Sequence, residues 1–173
     1  MRQRWVPTVA SDACSFAAGL AAAIAQIVLV RELFAALEGH EVSVALSLGL
    51  WVAGIAFGAL LGGRLVRGRP IDAGHLVAAI ALLAATALGG LALLRDARPL
   101  LDIPRGAAIG PGGSLVLAAL GIAPAALVTG ALLPLFAQAS VRSHGLRCAP
   151  ARFYALDALG TAAGGALAPI LVS

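Results

Sequence analysis

QIVLVRELFAALEGHEVSVALSLGLWVAGIAFGALLGGR, residues 26–64, decides the fold. It places a charged pair, Arg31-Glu32, at the end of one long apolar segment. A polar turn, Glu38-Gly39-His40-Glu41, follows. Val42 to Gly63 then forms a second segment with no charge, 22 residues long. As a helix that is roughly 33 Å, enough to cross a hydrocarbon core of about 30 Å. The stretch therefore reads as a transmembrane hairpin, and it sets the topology of the remaining chain.

Composition supports that reading. The chain is 61% hydrophobic and 12% charged, with mean hydropathy +0.98. A soluble domain needs about twice that charged fraction to cover itself in water. Glycine is abundant, at 21 residues, while aromatics make up 5%. Small residues suit helices that pack closely in lipid. All twelve basic residues are arginine, and they fall in short connections between apolar segments. That distribution fits lipid headgroups and argues against nucleic acid as a partner.

Five apolar segments are expected, at about 9–30, 42–63, 76–94, 114–139 and 153–172. The fold class is an all-α, polytopic bundle forming a single transmembrane domain. The Arg-bearing N-terminus is read as the start of a retained first helix, because the apolar run continues to Val30. Gly54, Gly58 and Gly62 recur every four residues and so share one helix face. Gly160 and Gly164 form a GxxxG. Both sets are read as packing surfaces, with a glycine-lined groove as the alternative for the first. The proline- and glycine-rich run from Arg95 to Gly113 is expected to interrupt the helices, and GPGG at 110–113 reads as a turn. Pro124 and Pro134 fall inside the fourth segment, where each removes a backbone hydrogen bond.

Orientation follows from the arginines. One side holds Arg2, Arg4, Arg64, Arg67, Arg69, Arg142, Arg147 and Arg152. The other holds Arg95, Arg98, Arg105 and Arg31. Eight against four places the N-terminus in the cytoplasm and the C-terminus outside. The expected location is the cell's inner (plasma) membrane.

No catalytic motif is legible. There is no Walker loop, no HExxH and no nucleotide-binding glycine pattern. His40, His75 and His144 fall in three separate connections, and Cys14 and Cys148 make no CxxC. No metal, cofactor or disulfide is expected. The candidate functional residues are the polar groups nearest the membrane interior: Gln26, Arg31, Glu32 and Asp157. One reading pairs Asp157 with Arg31 across the first and fifth helices. The alternative is that each reaches its own interface.

Three stretches, in order, resemble the membrane domain of fused spermidine-synthase-like membrane proteins. They are AQIVLVRELFAALEGHEVSVALSLGLW with GIAFGALLGGRL, then GIAPAALVTGALLPLFAQA, then ARFYALDALGTAAGGALAPILV. GGRLVRGRP also loosely resembles a basic loop of major-facilitator transporters. The first resemblance implies an anchor or assembly domain, alongside other membrane subunits or copies of itself. The synthase's soluble catalytic positions have no counterpart here, so none is carried over. An aminopropyltransferase activity is implied only with a further domain. The second function class in view is a carrier of a small solute, a polyamine or another cation, with Gln26, Glu32 and Asp157 along its path.

Overall fold

The computed structural model describes residues 8–37, 41–100, 109–144 and 149–171. It is an all-α bundle of five helices: α1 (Thr8–Ala36), α2 (Glu41–Val66), α3 (Ala73–Leu100), α4 (Pro111–His144) and α5 (Ala149–Leu171). Four contain spans long and apolar enough to cross a membrane: Ser11–Ala36, Ala45–Val66, Ala73–Pro99 and Gly112–Val141. The chain is thus a multi-pass membrane protein by length and composition. α5 is not among these four; it carries Asp157, Thr161 and three glycines, which lower its hydropathy.

The helices outrun the apolar segments that announce them. Arg31 and Glu32 do not end α1, which continues to Ala36. Arg95, Asp96 and Arg98 lie inside α3, which runs past Pro99 to Leu100. Arginine and glutamate are good helix formers, so a charge marks the edge of the lipid rather than the edge of the helix. The GPGG turn is likewise corrected. Ser114 N–H donates to the carbonyl of Gly110 at 3.0 Å, so Pro111 occupies the first helical position of α4. There its missing N–H removes no intrahelical bond. Of the hairpin turn, residues 38–40 lie outside the described residues.

Between α2 and α3 the chain reverses at Gly68, whose φ of +75° suits a residue without a Cβ. Asp72 then caps α3. Its Oδ1 accepts from the backbone N–H of His75 at 3.0 Å and lies 2.6 Å from His75 Nδ1. The backbone hydrogen bond, then the imidazole, holds the Asp72 carboxyl below its usual range.

α1, α3 and α5 run parallel to one another, and α2 and α4 run against them. α1 and α4 form the centre: α5 packs along α1, α2 packs along α4, and α3 leans on both. α1 and α2 barely touch. Buried Leu29, Leu33, Ile122, Ala125 and Phe136 fill the middle. Outward faces are apolar on every helix, with Val52, Phe57, Val77, Leu88, Leu120, Leu159 and Ile170 exposed among them. Such a surface is at home in lipid, not water.

Glycine seams set the spacing. A Cβ on Gly58 would strike the backbone carbonyl of Leu127 on α4, and one on Gly130 would strike that of Ile55 on α2. Gly54 faces Ala126, and Gly62 faces Ala131 and Pro134. On the other seam, Gly160 and Gly164 lie against the backbone of Phe16 and Leu20. Both packing surfaces read from the sequence are therefore buried helix contacts.

Gly58→Ala is expected to destabilise the bundle in mild detergent by about 1–3 kcal/mol, the usual range for forced overpacking. Gly63→Ala, which meets nothing within 4 Å, is expected to be neutral or slightly stabilising. Thermal unfolding of the two variants checks this, and equal melting temperatures would contradict the seam.

Candidate functional site: an intramembrane polar cavity

Two ion pairs close opposite ends of the bundle. Arg152 on α5 binds the Asp12 carboxylate through Nε and Nη2, with a shortest distance of 2.6 Å. Arg95 on α3 donates to Glu32 Oε1 from Nη2 at 2.8 Å and from Nε at 3.2 Å. Arg98 Nε donates to the carbonyl of Ala36 at 3.1 Å at the same end. Asp12 and Glu32 stand twenty residues apart on α1. That is about 30 Å of helix, the thickness of a hydrocarbon core. The pairs therefore bracket a membrane-spanning layer.

Asp157 lies inside that layer. On α5, Asp157, Gly160 and Gly164 follow at helical spacing and lie against α1. Opposite Asp157 is Gly19, where a Cβ would strike the aspartate's backbone carbonyl. From the sequence Gly19 is merely one of several small residues; in the fold it is the position that admits Asp157. Arg31 lies twelve residues further along α1, about 18 Å away. The pairing of Asp157 with Arg31 is thus ruled out by depth. Arg31 is exposed and faces a separate depression.

α1, α2, α4 and α5 frame a half-open cavity of about 210 Å³ next to Asp157. At about 30 Å³ per molecule it has room for about seven waters. α1 contributes Ala18, Ala22, Ala23 and Gln26; α2 contributes Trp51 and Ile55. α4 adds Thr129, Leu132, Leu133 and Phe136, and α5 adds Phe153, Asp157 and Thr161. Phe136 and Phe153 are stacked, with ring centroids 6.5 Å apart and planes 12° apart.

Among the described lining residues the Trp51 indole and the Gln26 amide carry N–H donors, while Asp157 and the two threonines offer acceptors. Thr129 Oγ1 donates to the carbonyl of Ala125 at 2.9 Å, and Thr161 Oγ1 donates to that of Gly19 at 3.5 Å. Each hydroxyl has given its proton to backbone and keeps lone pairs to offer. The Asp157 carboxylate is met by no hydrogen-bond or ion-pair partner among the described residues. Among the described residues it is also the one ionisable group lining the cavity.

Gln26 lines this cavity and also the depression toward Arg31, which is bounded by Ile27, Val30, Phe34 and Leu48. That depression lies between α1 and α2, which barely touch.

Of the four polar candidates, the fold brings Gln26 and Asp157 to one cavity. It sends Glu32 to Arg95 at the far end and leaves Arg31 at the surface. The sequence reading missed Thr129, Thr161 and the three aromatic walls. Phe153 and Thr161 stand four residues either side of Asp157, a spacing that puts all three on one face. Trp51, Thr129 and Phe136 had no such signal, since tertiary packing alone brings them in.

Among the described residues no group of three or more His, Cys, Asp or Glu converges as a metal site. The His40 and His144 side chains and Cys148 lie outside the described residues, and Cys14 is a free thiol. No family model, no curated protein and no solved structure matches the chain.

A double-mutant cycle separates the observed pair from the expected one. Glu32→Gln and Arg95→Ala are predicted to be non-additive in melting temperature, while Arg31→Ala and Asp157→Asn add. Coupling in the second cycle would contradict the depth assigned to Asp157.

Proposed function

We propose that this chain is an inner-membrane binding domain, of carrier or sensor type, for a small organic cation. The observation that carries the reading is the Asp157 carboxylate, which lines a cavity with no counter-charge among the described lining residues. A carboxylate inside the membrane layer is costly unless it meets a partner or water. A protonated amine supplies both what the site lacks, a positive charge, and what its lone pairs accept, N–H donors. Trp51, Phe136 and Phe153 add aromatic surface on which a cation rests favourably. The parting of α1 from α2, with Gln26 at the junction, supplies the route in. The arginine asymmetry orients the Asp12–Arg152 end toward the cytoplasm.

A second reading rests on the order of the sequence motifs. Their resemblance to spermidine-synthase-like membrane domains supports an anchor that assembles with other subunits or with its own copies. The tight glycine seams suit a rigid anchor equally well. An anchor, however, needs no unpaired carboxylate in its interior, which favours the binding reading.

Replacing Trp5 with Phe leaves Trp51 as the sole tryptophan, a reporter in the cavity wall. In lipid nanodiscs, butylammonium is expected to perturb its emission saturably. Asp157→Asn is expected to weaken that binding about tenfold or more, the usual effect of losing a charged hydrogen bond. Equal affinity in both chains would contradict the proposal.

A further inference from the structure

Resting on the cation-binding reading, we propose that the cavity selects singly charged primary amines with a short apolar body over diamines and polyamines. Charge count decides this. Asp157 supplies one carboxylate, and among the described residues no other one lining the cavity is ionisable. Gly19 on α1 lies against the backbone of Asp157, and the described residues that line the cavity with it include the uncharged Ala22 and Gln26 on α1, Trp51 on α2 and Thr129 on α4. At the bundle end beyond it, Asp12 and Arg152 pair with each other. A diamine would therefore bring one compensated ammonium and one bare ammonium into a low-dielectric space. An uncompensated buried charge is strongly unfavourable.

The walls agree with the charge count. The apolar part of the described lining is three alanines of α1, Ile55, Leu132, Leu133 and the aromatic trio. These suit a hydrocarbon body and offer no second anion. Beyond Asp157 and the two threonines, the further polar groups among the described lining residues are the Trp51 indole N–H and Gln26, which lies about two helical turns along α1 from the level of Asp157. Its amide is neutral and can hydrogen-bond a ligand's far end without neutralising it. The site thus reads as one cationic pocket with an apolar tail space. That differs from the polyamine which the sequence resemblance brings to mind.

The Trp51 titration tests this with butylammonium, butane-1,4-diammonium and spermidine in nanodiscs carrying the full chain with Trp5 replaced. Butylammonium is expected to bind at least about tenfold tighter than either polycation. Gln26→Glu adds a second carboxylate to the cavity and is expected to raise diamine affinity about tenfold or more, with an unchanged elution profile confirming the fold. Equal or tighter binding of the diamine by the Gln26-containing chain would overturn the single-charge rule and leave the cation-binding reading standing. Saturable binding of no amine would overturn both.

Discussion

At Gly58 and Gly130 the backbones of α2 and α4 approach until either added Cβ would strike a carbonyl on the other helix. At Gly19 and Gly160 the same is true of α1 and α5. In lipid there is little hydrophobic gain from bringing two apolar helices together, so close packing must carry the association. The rest of the structure depends on these two seams. They join two parallel helix pairs, α1 with α5 and α2 with α4, and the cavity lies where the pairs face each other. Trp51, Phe136 and Phe153 are too large to close that space as tightly as the glycines close the seams. A void lined by rings and small residues is the result.

The polar groups sort themselves by depth around this frame. Exposed ion pairs contribute little stability individually, but their placement is informative. Asp12–Arg152 and Glu32–Arg95 stand at the two ends of a layer about 30 Å thick. Serine and threonine hydroxyls between them return their protons to their own or neighbouring backbones: Ser15 to Ser11, Thr86 to Leu82, Thr129 to Ala125. That is the expected behaviour of hydroxyls where water is absent. Asp157 breaks the pattern. It lies within the layer, and the glycine opposite it is what allows the helix carrying it to come so close.

Much of the fold was legible because membrane spans announce themselves by length and lack of charge. The bundle class, the helix count and the α2 and α5 packing glycines follow from Val42–Gly63, from Gly54-Gly58-Gly62 and from Gly160-Gly164. Helix ends were less legible, because Arg31, Glu32, Arg95 and Arg98 mark where lipid ends and the helices continue. Half of the polar site was legible for a similar reason. Gln26 and Asp157 are conspicuous in apolar surroundings, but so are Arg31 and Glu32, and depth alone separates the two groups. Depth depends on helix register, which was set by Gly19, a residue with no distinguishing sequence context.

The account turns on the parallel register of α1 and α5, because that register puts Asp157 in the cavity wall. A Cβ built on Gly164 stands 3.0 Å from that of Ala23. Disulfides hold their Cβ atoms about 3.5–4.5 Å apart, so a small outward shift permits a bond. In membranes, the doubly substituted chain Ala23→Cys/Gly164→Cys, with Cys14 and Cys148 replaced by serine, tests the register by its response to mild oxidant. The account predicts rapid loss of maleimide-reactive thiols for this pair and little loss for Ala23→Cys/Gly165→Cys, since Gly165 faces open space. Equal oxidation of the two pairs, or none at Gly164, would contradict it.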